Sequence, residues 1–192
     1  MLNIVLFGSP GAGKGTQAEK IVAKYNLHHL STGDMLRHQI ATKTKLGIMA
    51  KHIINRGDLV PDEIVINMIK SELELRPDVE GFIFDGFPRS VGQAQTLDKL
   101  LQEIDDEITL MIDLRVEENE VITRLNERAK VSGREDDKDI EIIKNRIETY
   151  KMYTKPLQEY YSKQNKYIKV NGSGEIKEVT NKLFESINKY KK

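Results

Sequence analysis

Gly8-Ser9-Pro10-Gly11-Ala12-Gly13-Lys14-Gly15-Thr16 is the stretch whose reading decides the fold of this chain. An apolar run, Leu2-Asn3-Ile4-Val5-Leu6-Phe7, leads into it, and an amphipathic segment with Ala18, Ile21, Val22 and Tyr25 leads out. That order predicts strand, loop, helix. Glycines let the loop backbone turn its N–H groups toward a ligand. The helix start behind them adds unsatisfied donors and a positive dipole end. Lys14 adds a point charge, and the whole is a cradle for a polyphosphate. In the pattern G-x-x-x-x-G-K-[ST] a hydroxyl follows the lysine; here Gly15 follows it and Thr16 supplies the hydroxyl one place later.

The remaining chain repeats the alternation. Apolar runs recur at residues 2–7, 27–30, 81–85, 108–114 and 167–170, with helical patterns between them. Strands alternating with helices predict an α/β fold: a five-stranded parallel sheet covered on both faces. Ligands in such sheets lie at the carboxyl ends of the strands. The residues that follow each run are therefore the candidates for chemistry.

After the second run come Ser31-Thr32-Gly33-Asp34-Met35-Leu36-Arg37, where Ser31 and Asp34 have capping-box spacing. Thr32 and Arg37 are either parts of a helix start or ligand contacts. Residues 31–60 read as a small helical insertion, a candidate flap, and Pro61 ends it. Residues 63–75 form the next helix, with Val65, Met68, Ile69 and Leu73 on one face. The third run ends in Asp85-Gly86-Phe87-Pro88-Arg89, which places an acid at a strand end near a phosphate loop, a position suited to magnesium. Gln93 follows Arg89 by one helical turn.

The fourth run opens a helix with Val121, Ile122 and Leu125 inside and Arg124 and Arg128 sharing another face. Like charges at that spacing repel by a few tenths of a kcal/mol, which favours an anion between them. A polar loop, residues 130–139, then ends in Asp136 and Asp137, which are capping residues or anchors for the loop. Ile140, Ile143, Ile147 and Tyr150 continue as a helical stripe with Arg146 off it, and Pro156 is expected to break or kink that helix. Tyr150, Tyr153, Tyr160 and Tyr161 read as packing residues. The fifth run ends at Asn171-Gly172-Ser173-Gly174, before a last helix and a solubilising Lys191-Lys192 tail. His28, His29, His38 and His52 lack metal-ligand spacing and read as surface or core residues.

Composition narrows the function. The 192 residues fit one domain. Lysines and arginines number 30 and acids 30, so the basic excess of a general nucleic-acid binder is missing. The chain has no cysteine, which removes disulfides and a cysteine zinc site. No run approaches the roughly 20 apolar residues of a membrane span. A cytoplasmic protein, with neither nucleic acid nor membrane as partner, is expected.

Together, the Gly-Lys-Gly-Thr loop with Gln17, the Ser31–Arg37 stretch, Asp85-Gly86-Phe87-Pro88-Arg89 with Gln93, and the arginines 124, 128, 134 and 146 resemble the adenylate kinase family over essentially the whole chain. The Gly15 departure is typical of that family. The resemblance implies the reaction ATP + AMP ⇌ 2 ADP with magnesium and without zinc, in a monomer. It implies a single core domain over residues 1–192, an AMP-binding flap at 31–60 and a short lid at 127–137. It assigns ATP to Gly11, Ala12, Gly13, Lys14, Gly15, Thr16, Arg124 and Arg128, with Gly174 near the adenine. It assigns AMP to Thr32, Arg37, the Asp58, Leu59 and Val60 backbone, Gly86, Phe87, Pro88, Arg89 and Gln93. Lys14, Arg89, Arg128, Arg134 and Arg146 are its catalytic cations, the last two spanning both phosphates. Asp34 and Asp85 would hold magnesium through water, and Asp136 would order the lid arginines.

Two rival readings stay open at this stage. Pyrimidine-specific relatives tend to carry Ala and Asn where this chain has Thr32 and Gln93, so those residues favour AMP over UMP or CMP. A P-loop switch would favour a guanine motif; the nearest string, Asn181-Lys182-Leu183-Phe184, lacks the acid.

Overall fold

The computed structural model describes residues 1–132 and 134–191. Gly133 of the expected lid and Lys192 of the tail lie outside the described residues. Among these, five parallel strands are β1 (Ile4–Gly8), β2 (His28–Ser31), β3 (Phe82–Asp85), β4 (Leu110–Arg115) and β5 (Tyr167–Asn171). Their order across the sheet is β2-β3-β1-β4-β5. The first strand thus lies in the middle, and Leu6 pairs with both Asp85 and Ile112.

Among the described residues, seven α-helices lie between strands and an eighth follows β5: α1 (Lys14–Tyr25), α2 (Thr32–Ala41), α3 (Lys45–Asn55), α4 (Asp62–Glu74), α5 (Val91–Gln102), α6 (Glu118–Ser132), α7 (Ile140–Ser162) and α8 (Ile176–Asn188). Alternation within β1 separates two cores. Val5 and Phe7 face one core with residues of α2 to α5 and α7, while Ile4 and Leu6 face the other with α1 and α8. Burying each such side chain stabilises the fold by roughly 1.5–3 kcal/mol. A smaller cluster, Val121, Leu125, Ile143 and Ile147, joins α6 to α7.

Four strands run one residue further toward their carboxyl ends than the apolar runs, while β3 ends with its run at Asp85. Ser31 pairs with Asp85, and Arg115 with Asn171. Apolar character marks burial, whereas the ladder continues into polar residues that face the site. Leu2 and Ile108 are buried before their strands begin. The break that Pro156 could have made does not occur: α7 runs unbroken through it. A proline costs a helix interior about 3 kcal/mol, but Leu157 and Tyr161 beyond it are fully buried, and their burial offsets that cost. Within the stripe on α7, Ile140 is exposed rather than buried. The polar loop is also shorter than expected, because α6 extends to Ser132 and a 3₁₀ turn forms at Glu135–Asp137.

Candidate active site

The carboxyl ends of the strands open into one cleft with two compartments. The glycine loop forms the floor of one. Gly13 caps α1 in a left-handed conformation, and no side chain caps the helix start. The backbone donors of that start therefore face the compartment. Gly11 also needs a positive φ, and a Cβ there would lie 2.9 Å from Leu125 Cγ. Lys14 lies along this loop, its ammonium donating to the carbonyls of Gly8 at 2.8 Å and Ser9 at 3.0 Å. Its pKa is pulled down to about 8. Burial is the main cause, Arg89, Arg146 and Arg128 add to it, and Asp85 opposes it.

This compartment is also lined by Gly15, Thr16, Arg124, Arg128, Gly174, Asp34 and Asp85. Arg124 donates to the carbonyls of Ala12 at 3.3 Å and Gly172 at 3.2 Å, and it pairs with Glu120 one turn back. Asp34 pairs with Arg37. Ser31 caps α2 by accepting from the Asp34 N–H at 3.3 Å. Asp85 ends β3, with His29 Nε2 3.6 Å from its carboxylate.

The other compartment is an apolar slot. Leu36, Ile54, Val60, Val65 and Tyr150 line it, with Thr32 and Gln93 as polar groups and Asp58 and Leu59 at the flap loop. The Thr32 hydroxyl donates to the Gly86 carbonyl at 3.1 Å, and Arg89 Nε to the same carbonyl at 2.7 Å. Phe87 and Pro88 are buried and line neither compartment. Tyr153, expected as a packing residue, instead lines the slot and is 38% exposed.

Five cations, Lys14, Arg37, Arg89, Arg134 and Arg146, line both compartments. Two carboxylates organise the arginines of the lid. Asp137 accepts from Arg128 Nε at 2.6 Å and Nη2 at 2.8 Å, and from Arg146 Nη1 at 2.6 Å. Asp136 accepts from Arg134 Nε at 3.0 Å and Nη2 at 2.6 Å. Burial alone would raise both acids. For Asp136 the Arg134 hydrogen bond and the surrounding arginines outweigh it, and for Asp137 those of Arg128 and Arg146 do, so both stay below the usual carboxylate range. The repulsion expected between Arg124 and Arg128 is relieved by Glu120 and Asp137.

Asp136 and Asp137, left open in the sequence between capping and anchoring, both grip arginines. An acid in a first helical turn has the same pattern whether it caps the helix or grips an arginine. The flap loop is tied to α7: Asn145 Nδ2 donates to the Arg56 carbonyl at 2.8 Å and to Asp58 Oδ1 at 3.3 Å.

A phosphate cradle, an apolar slot and a row of cations between them describe a site for two nucleotides meeting at their phosphates. Comparison with known proteins agrees. Residues 6–166 match the family model described as adenylate kinase. A protein of Flavobacterium psychrophilum named adenylate kinase is 50% identical over 188 residues, covering 98% of this chain and 99% of that one. Those of Parabacteroides distasonis and Bacteroides fragilis, of the same name, are each 46% identical, over 100% and 97% of this chain and 100% and 98% of their own lengths. With the P-loop, the paired compartments and the shared cations in one parallel α/β sheet, this chain belongs to the adenylate kinase family.

Proposed function

We infer that this chain transfers a phosphoryl group reversibly from magnesium-ATP to AMP, giving two ADP, and so balances adenine nucleotides. The observation that carries the reading is the row of five cations shared by the two compartments. A group passing between two phosphates needs positive charge on both sides of its path and little covalent chemistry.

ATP occupies the compartment floored by residues 11–16, with Arg124 and Arg128 over its phosphates and Gly174 near its base. AMP occupies the slot, its phosphate against Arg37 and Arg89 and its base against Thr32 and Gln93. The buried Phe87 and Pro88 act by holding Gly86 and Arg89, which do line the slot, in place. A phosphate oxygen of AMP attacks the γ-phosphorus as the bond to the β-phosphate oxygen breaks. Lys14, Arg89, Arg128, Arg134 and Arg146 hold the charge on the transferring oxygens. One such arginine is worth roughly 10³–10⁵ in rate, or about 4–7 kcal/mol.

Among the described residues no cluster of three acids or histidines could hold a metal by itself. Magnesium does not require one, since it keeps several waters and binds through one or two carboxylates plus phosphates. Asp34 and Asp85, both lining the ATP compartment, fit that role through water. When bound, the ion neutralises phosphate oxygens. The flap (31–60) and the lid (127–137) close before transfer and keep water from the γ-phosphate. Asn145 bonding to the flap loop supports this reading of the flap. No helix among the described residues is long and apolar enough to cross a membrane. The reading is completed by a cytoplasmic monomer acting on nucleotides alone.

Phosphorus NMR of the protein with magnesium-ATP and AMP, CMP, UMP or no acceptor tests this. Fast ADP formation with AMP alone is expected. Faster turnover with CMP or UMP overturns the acceptor assignment, and slow hydrolysis indifferent to acceptor overturns the kinase reading. Arg89→Ala should weaken AMP use far more than ATP binding; equal losses would remove Arg89 from the acceptor side.

A further inference from the structure

Gln93 is 2% exposed, lines the slot, and already has two partners. Its Oε1 accepts from the Arg89 backbone N–H at 2.6 Å, and its Nε2 donates to Asp62 Oδ1 at 2.6 Å. Both partners are one-way groups. A backbone N–H only donates and a carboxylate only accepts. Each selects the same orientation of an amide that could otherwise flip. Asp62 is itself held, because the Ser90 hydroxyl donates to its Oδ2 at 3.3 Å while accepting from the Gln93 N–H at 3.1 Å. Asp62 sits in the first turn of α4 and Ser90 caps α5, so two helix starts meet at this amide.

We propose that Asp62 is a specificity-determining residue: it fixes which way the Gln93 amide faces, and so makes the acceptor slot accept a 6-aminopurine and reject a 6-oxopurine. This rests on the reading of the slot as the AMP site. With the amide so held, one lone pair of Oε1 and one N–H of Nε2 remain for a base. Adenine offers the complement, a donor at N6 and an acceptor at N1. Hypoxanthine offers the reverse, an acceptor at O6 and a donor at N1. Reading it requires the flipped amide, which sets Oε1 against the Asp62 carboxylate and the NH₂ group against the Arg89 N–H. A buried amide cannot leave those contacts unmade without cost.

The test compares kcat/KM for AMP and IMP in the natural protein, in Asp62→Asn, in Asp62→Ala and in Gln93→Leu. Either substitution at 62 leaves the Arg89 N–H as the one partner that still selects an orientation, since Asn both donates and accepts and Ala does neither. Either one should narrow the AMP-to-IMP ratio by about tenfold or more, an effect of the size of one buried hydrogen bond. Improved use of IMP should carry the change, with KM for ATP unaltered. A merely structural role for Asp62 would lower both acceptors by the same factor, and that result overturns the proposal. Gln93→Leu separates the two levels. If it leaves the ratio unchanged, base reading by Gln93 is itself wrong. If it collapses the ratio while both substitutions at 62 preserve it, Asp62 alone has been misassigned.

Discussion

Lys14 is a lysine surrounded by other cations, and this makes its charge conditional. Its pKa falls from 10.5 to about 8, mainly by burial. The sign of the stability effect follows directly. Between pH 8 and 10.5 the unfolded chain holds a proton that the folded chain has released, so stability rises with pH across that window. Nucleotide binding runs the other way. Phosphate oxygens favour the ammonium, so above pH 8 ATP must bring a proton with it. ATP affinity should weaken as pH rises, approaching about tenfold per unit. Calorimetric titration with an ATP analogue from pH 7 to 10 checks this. Lys14→Arg should flatten the profile, because a guanidinium stays charged; a flat profile in the natural protein would refute the account. The glycine loop and the cations were legible because phosphate handling restricts the residue types that can serve. Their carboxylate partners were legible only in part: Asp136 and Asp137 read as capping residues or anchors, without the arginine that each meets. Asp137 lies nine residues from Arg128, and Asp62 lies 31 from Gln93. Only the folded chain shows what such an acid meets.

The flap meets the core at Gly57. Its φ is +80°, and a Cβ there would lie 2.9 Å from Arg146 Cγ and 3.2 Å from the Ile142 carbonyl on α7. A side chain in that backbone region costs about 1–2 kcal/mol, and the contact with α7 adds to it. Gly57→Ala should therefore move Asp58, Leu59 and Val60 away from the slot they line. We expect KM for AMP to rise about tenfold, which corresponds to about 1.4 kcal/mol, while ATP binding stays within about twofold. Steady-state kinetics with each nucleotide varied in turn decides it; a rise in both constants would show a general distortion instead. Elements of this kind were readable in kind but not in extent. Apolar runs located every strand, because a sheet covered on both faces buries whole strands. They missed the polar strand ends Ser31, Arg115 and Asn171, of which Ser31 pairs with Asp85 and Arg115 with Asn171. Pro156 misled for a related reason, since local helix chemistry does not register the buried Leu157 and Tyr161 beyond it.

At the scale of the whole molecule, one buried acid connects the sheet to the helix that carries Arg146. Asp113 on β4 is fully buried. It accepts from Arg115 Nε at 2.6 Å, the Tyr150 hydroxyl at 3.0 Å, Gln158 Nε2 at 3.1 Å and the Tyr167 hydroxyl at 2.9 Å. Burial and the Asp113 charge raise the Tyr167 pKa well above its ordinary value. Tyr150 lies one turn beyond Arg146 on α7 and stacks on Phe7 with ring centroids 5.3 Å apart, so the network fixes α7 over the slot. The sequence displayed Asp113 only as an acid within an apolar run, with no sign of its four donors. Removing one partner of a buried charged group costs about 3–5 kcal/mol, a large share of the 5–15 kcal/mol by which a domain is stable. Asp113→Ala should lower the melting temperature by roughly 6–20 °C, taking about 2–4 °C per kcal/mol for a chain of this size. Such a drop alone would not distinguish a network from a cavity. A double-mutant cycle does. Tyr150→Phe in the natural background leaves the carboxylate short of a donor, whereas in the Asp113→Ala background it removes a hydroxyl that has already lost this acceptor. The second step should cost at least about 1 kcal/mol less than the first. Equal costs, measured by urea unfolding, would mean that Tyr150 and Asp113 act independently and that this hydroxyl does not tie α7 to the sheet.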